Sequence, residues 1–319
     1  VSGDLASGKA GATTRWGVTD VFPTLDSCTR ARVLLYSRDS SRITVEVNDS
    51  LSHSFDIEGA DYLREVYVEM PISSVRVRVD MGNILCYGAS LEGDGGVVVD
   101  NFSVRSNNGH AIFGTSAKIN RQADEMLGYD LVVLQYGLNI MQKGQRGYSR
   151  YRDQLRDMIA YAERCFPNAA IVVMGVSDRW VKNEESAKYE PIGSVDALTS
   201  YQRAAADSCK VAFWNTSKAM SQLGGMPKFV ANGWAAKDYT HINFQGGRRI
   251  AMELAMAIIG QVREVVVERE AEQLRLKELE RQHQEMLERQ RRERAERYLQ
   301  SQIDAVQPII KGVEQTLNE

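Results

Sequence analysis

The chain has 319 residues, 43% hydrophobic and 25% charged, enough for about two cores. A net charge of -3 and a pI near 6.0 exclude a general attraction to nucleic acid or anionic membranes, so no nucleic-acid partner is expected. Cys28, Cys86, Cys165 and Cys209 show no Cys-x-x-Cys spacing, which argues against a zinc cluster or dithiol site and leaves small core residues or a single disulfide.

No apolar run approaches the roughly 18 residues that span a bilayer, and no signal peptide is legible. Residues 1–15 read as a remnant or linker. From 16 to 96 the hydropathy alternates with period two: Arg42 to Asn48 and Ser74 to Asp80 do so strictly, and Ala31 to Ser37, Glu65 to Met70 and Ile84 to Leu91 are rich in β-formers. Turns are expected at Asn48-Asp49-Ser50, Glu58 to Asp61 and Asp80 to Asn83. Six or seven short strands with one apolar face each describe a β-sandwich of the jelly-roll, carbohydrate-binding-like kind. Trp16, Tyr36, Tyr62, Tyr67 and Tyr87 are expected mostly in its core, the alternative being an exposed ring against a sugar.

Between 97 and 262 the period changes. Val97 to Phe102 and Tyr129 to Tyr136 read as strands, the second apolar enough to be buried on both faces of a parallel sheet. Tyr148 to Phe166 follows as a helix with Tyr151, Leu155, Met158, Ile159 and Ala162 on one stripe and Pro167 as the stop. Ala169 to Met174 and Val211 to Trp214 are further strands, Ala197 to Cys209 and Ile242 to Val262 further helices. Alternating strand and helix predict a doubly wound α/β layer sandwich whose ligands sit beyond the carboxyl ends of the strands.

Asp238-Tyr239-Thr240-His241 lies just ahead of the closing helix. An acid three residues before a histidine lets one turn of backbone hold both, with the carboxylate on one ring nitrogen and the other facing a nucleophile. Gly137-Leu138-Asn139 follows a strand end directly, and Val104 to Gly109 follows another. Asn139 has a bland alternative as a local backbone cap.

This ordered set, a small-residue loop, Gly-x-Asn and a late Asp-x-x-His, resembles the SGNH (GDSL-type) esterase and acylhydrolase family. The wording Val97 to Arg105, with a sandwich upstream, resembles the subgroup related to bacterial peptidoglycan O-acetylesterases, over roughly residues 16 to 262. The resemblance implies a three-layer, flavodoxin-like hydrolase domain at 97–262 beside the inserted sandwich. It implies a serine esterase removing O-acetyl or short acyl groups from a polysaccharide or peptidoglycan, in a periplasmic or secreted setting. By resemblance His241 is the base, Asp238 its orienter, and the Asn139 amide and Ser106 N–H are oxyanion donors. Asn108, His110, Asp178 and Arg179 are weaker candidates for contact with substrate. No cofactor or metal is implied, since side chains and backbone dipoles suffice.

Two features depart from the family pattern. Ser106 stands where the family has glycine, which is strained if the loop needs φ > 0. The Gly-Asp-Ser block is absent: Val1-Ser2-Gly3-Asp4-Leu5 ends in leucine, and Ser116 and Ser177 have no family counterpart as nucleophile. With Val1 rather than methionine first, the expectation is that an upstream segment carries the serine. The alternative is a catalytically inactive, SGNH-derived glycan-binding or scaffold protein. Residues 263–319 shift to Glu, Arg and Gln and read as a charged helical or coiled-coil tail. Leu299, Ile303, Val306, Ile310, Val313 and Leu317 give an a/d stripe for self-association or partner docking, with Pro308 expected to kink it.

Overall fold

The computed structural model describes residues 6–18, 28–104 and 106–317. Residues 1–250 form one compact unit and 251–319 a second. Alternating side chains build eight strands: β1 (Ala6–Lys9), β2 (Thr13–Gly17), β3 (Cys28–Tyr36), β4 (Ser41–Val47), β5 (Leu51–Ile57), β6 (Arg64–Ile72), β7 (Ser74–Met81) and β8 (Asn83–Glu92). They pair antiparallel in two sheets, ordered β1-β8-β3-β6 and β2-β7-β4-β5. Val33 and Leu35 of one sheet and Ile43, Val45, Val75 and Val77 of the other share a core at 0–2% exposure, which is what period-two burial requires of a sandwich.

Asn48 and Asp49 both take φ 54° in the three-residue loop between β4 and β5, where the Ser50 N–H donates to the Val47 carbonyl (3.1 Å). The sandwich starts at Ala6, ahead of the expected boundary at 16: β1 adds to β8 and β2 to β7, so residues 6–15 are sheet edge and not linker. Their mixed composition hid them, since edge strands bury little. Of the five rings only Trp16 packs against the core, while Tyr62 and Tyr67 are exposed. All four cysteines are free. His53 is on β5.

After β8, residues 93–104 are irregular. The strand expected at Val97 to Phe102 is absent, and Val97, Val98 and Val99 are 90%, 64% and 83% exposed. Then come α1 (Ala117–Leu127), β9 (Leu131–Leu134), α2 (Ser149–Cys165), β10 (Ala170–Met174), a small hairpin of β11 (Trp180–Lys182) and β12 (Tyr189–Pro191), α3 (Val195–Cys209), β13 (Ala212–Trp214), α4 (Thr216–Gln222), α5 (Gly225–Ala231) and α6 (Phe244–Leu317). Helix α1, not foreseen, meets the sandwich through polar contacts: Arg32 donates to the Met126 carbonyl (2.6 Å), the Leu63 N–H to Gln122 (2.9 Å), and Lys118 pairs with Asp61 (3.0 Å).

The second sheet is parallel, ordered β13-β10-β9. Helices α2 and α3 bury the stripe Tyr151, Leu155, Met158, Ile159 and Ala162 together with Leu198, Ala205 and Ala206 over β10. β9 departs from expectation. Among the described residues it pairs only with β10, so Leu131 and Val133 are 38% and 41% exposed instead of buried on both faces. Helix α6 runs without a break at 262, because its Glu, Arg and Gln residues are strong helix formers, and it continues through Pro308. The side chains of Ile310, Val313 and Leu317 lie outside the described residues.

Gln202 fixes the strand ends that carry the site. Its side chain is 1% exposed, donates to the Tyr136 carbonyl (2.8 Å) and accepts from the Val176 N–H (3.0 Å), tying the end of β9 to the end of β10. Gln202→Leu leaves a buried acceptor and a buried donor unpaired, each costing about 1–3 kcal/mol. The expected result is a loss of about 2–5 kcal/mol in denaturant unfolding; a loss under about 0.5 kcal/mol contradicts the bridge.

Candidate functional site

The loop before α6 is a tight turn. The Ala236 N–H donates to the His241 carbonyl (2.7 Å), the Tyr239 N–H to the Ala236 carbonyl (3.1 Å), and Tyr239 is left-handed at φ 56°. Inside it one Asp238 oxygen accepts the N–H groups of Thr240 and His241, both at 3.0 Å, and the other lies 2.6 Å from His241 Nδ1. The acid is thus spent on orienting the ring, and Nε2 is left for chemistry. The His241 side chain is 77% exposed. Asn243 closes the loop by accepting from Gln245 and Gly246 at the start of α6 (both 3.1 Å).

Hydrogen bonds from the imidazole and two backbone N–H groups stabilise the charged carboxylate and hold Asp238 down at about 2. The folded value lies below the ordinary Asp value of about 3.9. The stabilisation is therefore fully present above pH 4 and is lost as pH falls through about 2. A carbon-13 carboxyl titration should show Asp238 still ionised at pH 3, with His241→Ala moving the inflection up toward the ordinary range. An inflection near 4 in the unaltered protein contradicts the bonded pair.

The other candidate loops meet at the carboxyl end of β9. Gly137 has φ 115°, and a Cβ there would lie 2.9 Å from both Gln202 Nε2 and Val176, so the turn into Leu138-Asn139 requires glycine. Asn139 Nδ2 donates at 2.9 Å to the carbonyl of Asn107, in the loop that carries Ser106. That loop is shaped by its own side chains: Asn107 accepts from the Gly109 N–H (2.6 Å) and Asn108 from the His110 N–H (3.1 Å). Gly109 (φ 98°) passes so close to Met158 that a Cβ would lie 2.2 Å from the sulfur. Ser106 has φ 55°, the left-handed conformation that favours glycine, so this serine carries strain of about 1 kcal/mol or more. A cavity of about 210 Å³ opens there, lined among others by Asn107, Tyr136, Leu138, Asn139, Val176 and Ser177.

The remaining candidates have partners inside the protein. Asp178 accepts the Met226 N–H (2.8 Å) at the start of α5, and Arg179 Nη1 donates to the Leu138 carbonyl (3.2 Å). His110 packs edge-on against Phe113 at 5.5 Å. Ser116 caps α1, accepting from the Ile119 N–H at 3.4 Å. Sequence reasoning missed Gln202, whose signal was a lone amide within the apolar stripe of α3. It also missed the cluster of Trp180, Tyr189 and Tyr239, which only the β11–β12 pairing assembles.

No protein-family model and no curated protein sequence matches the chain. Among solved structures it is similar to a peptidoglycan O-acetylesterase, with 21% identity and a TM-score of 0.60 over 82% of this chain and 71% of that one. The chain shares the fold of that esterase. A GDSL-like lipase from Parabacteroides merdae also matches, at 18% identity and a TM-score of 0.35 over 49% of this chain and 69% of that one. A family two carbohydrate esterase from Clostridium thermocellum matches at 11% and 0.24, over 66% and 83%. In this fold Asn139 lies in a short 3-10 turn, Leu138–Ile140, beyond the end of β9 at Leu134, while the Asp238–His241 pair sits on the loop that leads into α6.

Proposed function

We propose that the full polypeptide is a serine esterase that removes O-acetyl or other short acyl groups from a polysaccharide or peptidoglycan, in a periplasmic or secreted setting. The observation that carries this reading is the 2.6 Å bond between Asp238 and His241 Nδ1, which leaves Nε2 as an oriented base. In the reaction the serine oxygen bonds to the acyl carbon while Nε2 takes its proton. The tetrahedral oxyanion then collapses by expelling the sugar oxygen, which takes that proton back, and water repeats the sequence to release the acid. Asn139 has two amide hydrogens. One is held by the Asn107 carbonyl, which aims the other at the oxyanion beside the Ser106 N–H.

The serine is proposed to arrive on a segment preceding residue 1, as a parallel strand against the free edge of β9. The half-exposed Leu131 and Val133 and the exposed Val97, Val98 and Val99 support this: they are apolar residues that such a strand and its outer neighbour cover in a three-layer, flavodoxin-like sheet. The sandwich is proposed to hold the glycan. Tyr62 and Tyr67 are exposed, with Arg64 and Arg32 over their rings at 4.8 and 5.8 Å. The α6 stripe that includes Leu299, Ile303 and Val306, 61%, 54% and 47% exposed, supports self-association or partner docking through the tail.

Incubating the full polypeptide with an O-acetylated glycan tests the reading. Free acetate and a deacetylated product are expected. No acetate above the buffer rate removes the esterase and leaves the inactive scaffold, the reading favoured by the missing Gly-Asp-Ser block.

A further inference from the structure

Two adjacent residues grip both halves of the site. The Arg179 guanidinium donates from Nη1 to the carbonyl of Leu138, next to Asn139 (3.2 Å). The Trp180 N–H donates to the carbonyl of Tyr239, between Asp238 and His241 (3.1 Å). The span between them is itself anchored, because the Arg179 carbonyl accepts the Ile192 N–H (3.0 Å) and Trp180 pairs with Pro191 across the β11–β12 hairpin. The same hairpin braces the acid–base loop with aromatic rings. Tyr189 stacks on Tyr239 at 4.2 Å and 17°, and Trp180 lies at 6.3 Å from Tyr239. Tyr239 needs such support: φ 56° is unfavourable for a bulky residue and persists only where neighbours over-determine it.

We propose that Arg179, through the hairpin it opens, is a positioning residue that fixes the spacing between the Asn139 amide and the Asp238–His241 pair. Its positional role rests on the esterase reading above. The mechanical coupling itself is independent of that reading. A point charge on a flexible stem does not replace it, since the planar guanidinium reaches the Leu138 carbonyl while its Nε is buried, without a hydrogen-bond partner among the described residues.

The test uses the full polypeptide with nitrogen-15-labelled histidine and asparagine side chains. Arg179→Met should move both the Asn139 amide signals and the His241 ring signals, with His53 and His283 unmoved. Tyr189→Leu, which loosens the far end, should move the Asn139 amide in return. Should Arg179→Met fail to fold, Arg179→Lys and Tyr189→Leu give the same two readouts. His241 signals at their unaltered positions in a folded Arg179 variant overturn the coupling. In the kinetic arm, Arg179→Lys should lower kcat at least about tenfold with KM within twofold, since small misplacements cost up to about 100-fold. A raised KM with kcat retained makes Arg179 a substrate contact and overturns the positioning role. Absence of esterase activity in the unaltered protein counts against the esterase reading alone, because the labelled signals still judge the coupling.

Discussion

His241→Ala in the full polypeptide is expected to lower kcat for aryl acetate hydrolysis by about 10⁴-fold, the scale on which loss of a triad base is felt. The geometry makes the effect large. Asp238 is committed to Nδ1 and to two backbone N–H groups, so no second base is oriented by this loop, and removing the ring takes away the acceptor for the nucleophile's proton while leaving the carboxylate on the two backbone N–H groups. The fold should tolerate the change, because the side chain is 77% exposed. Steady-state kinetics with a melting curve on the same preparation check this. Activity within tenfold of the unaltered protein, at an unchanged melting temperature, removes His241 from the chemistry.

The second large effect is at Asn139. Under the proposed esterase reading Asn139→Ala removes one oxyanion donor and is expected to lower kcat about 10²–10³-fold, or about 3–4 kcal/mol of barrier, with little change in KM. It also frees the Asn107 carbonyl, a solvent-accessible acceptor whose loss of partner costs little stability. The alternative role for Asn139, a cap on local backbone, predicts the reverse: a lower melting temperature with kcat nearly intact. Comparing kcat with melting temperature in the one variant therefore separates the two roles. Ser106 adds a related expectation from its φ of 55°: glycine there relieves strain and keeps the N–H.

Much of the fold was legible because burial on one face leaves a period in the sequence. Ser74 to Asp80 alternates and is β7; Tyr151, Leu155, Met158 and Ala162 recur at helical spacing and line α2. Elements with little core to cover left no such trace. Strands β1 and β2 are sheet edges, and α1 buries only Asp124. Continuous apolar runs were the opposite failure. Leu131 to Leu134 reads as fully buried because hydropathy reports what a strand would cover and not whether its neighbour is present; Val97 to Val99 has the same character and no ladder at all.

At the site, the residue types were visible and their supports were not. Asp-x-x-His spacing dictates a bond within one turn, and the turn delivers it. The meeting of Asn139 with Asn107, and the hold of Arg179 on Leu138, depend on strand ends brought side by side by the sheet, which no local pattern encodes.

A serine delivered beside β9 is the central claim, and covalent capture tests it most directly. The full polypeptide treated with an aryl phosphonate ester, which phosphonylates activated serines with loss of the aryl alcohol, then digested and read by mass spectrometry, should carry one adduct on a serine preceding residue 1, and none in His241→Ala. No adduct on the unaltered protein, or one on Ser106, Ser116 or Ser177, contradicts the account.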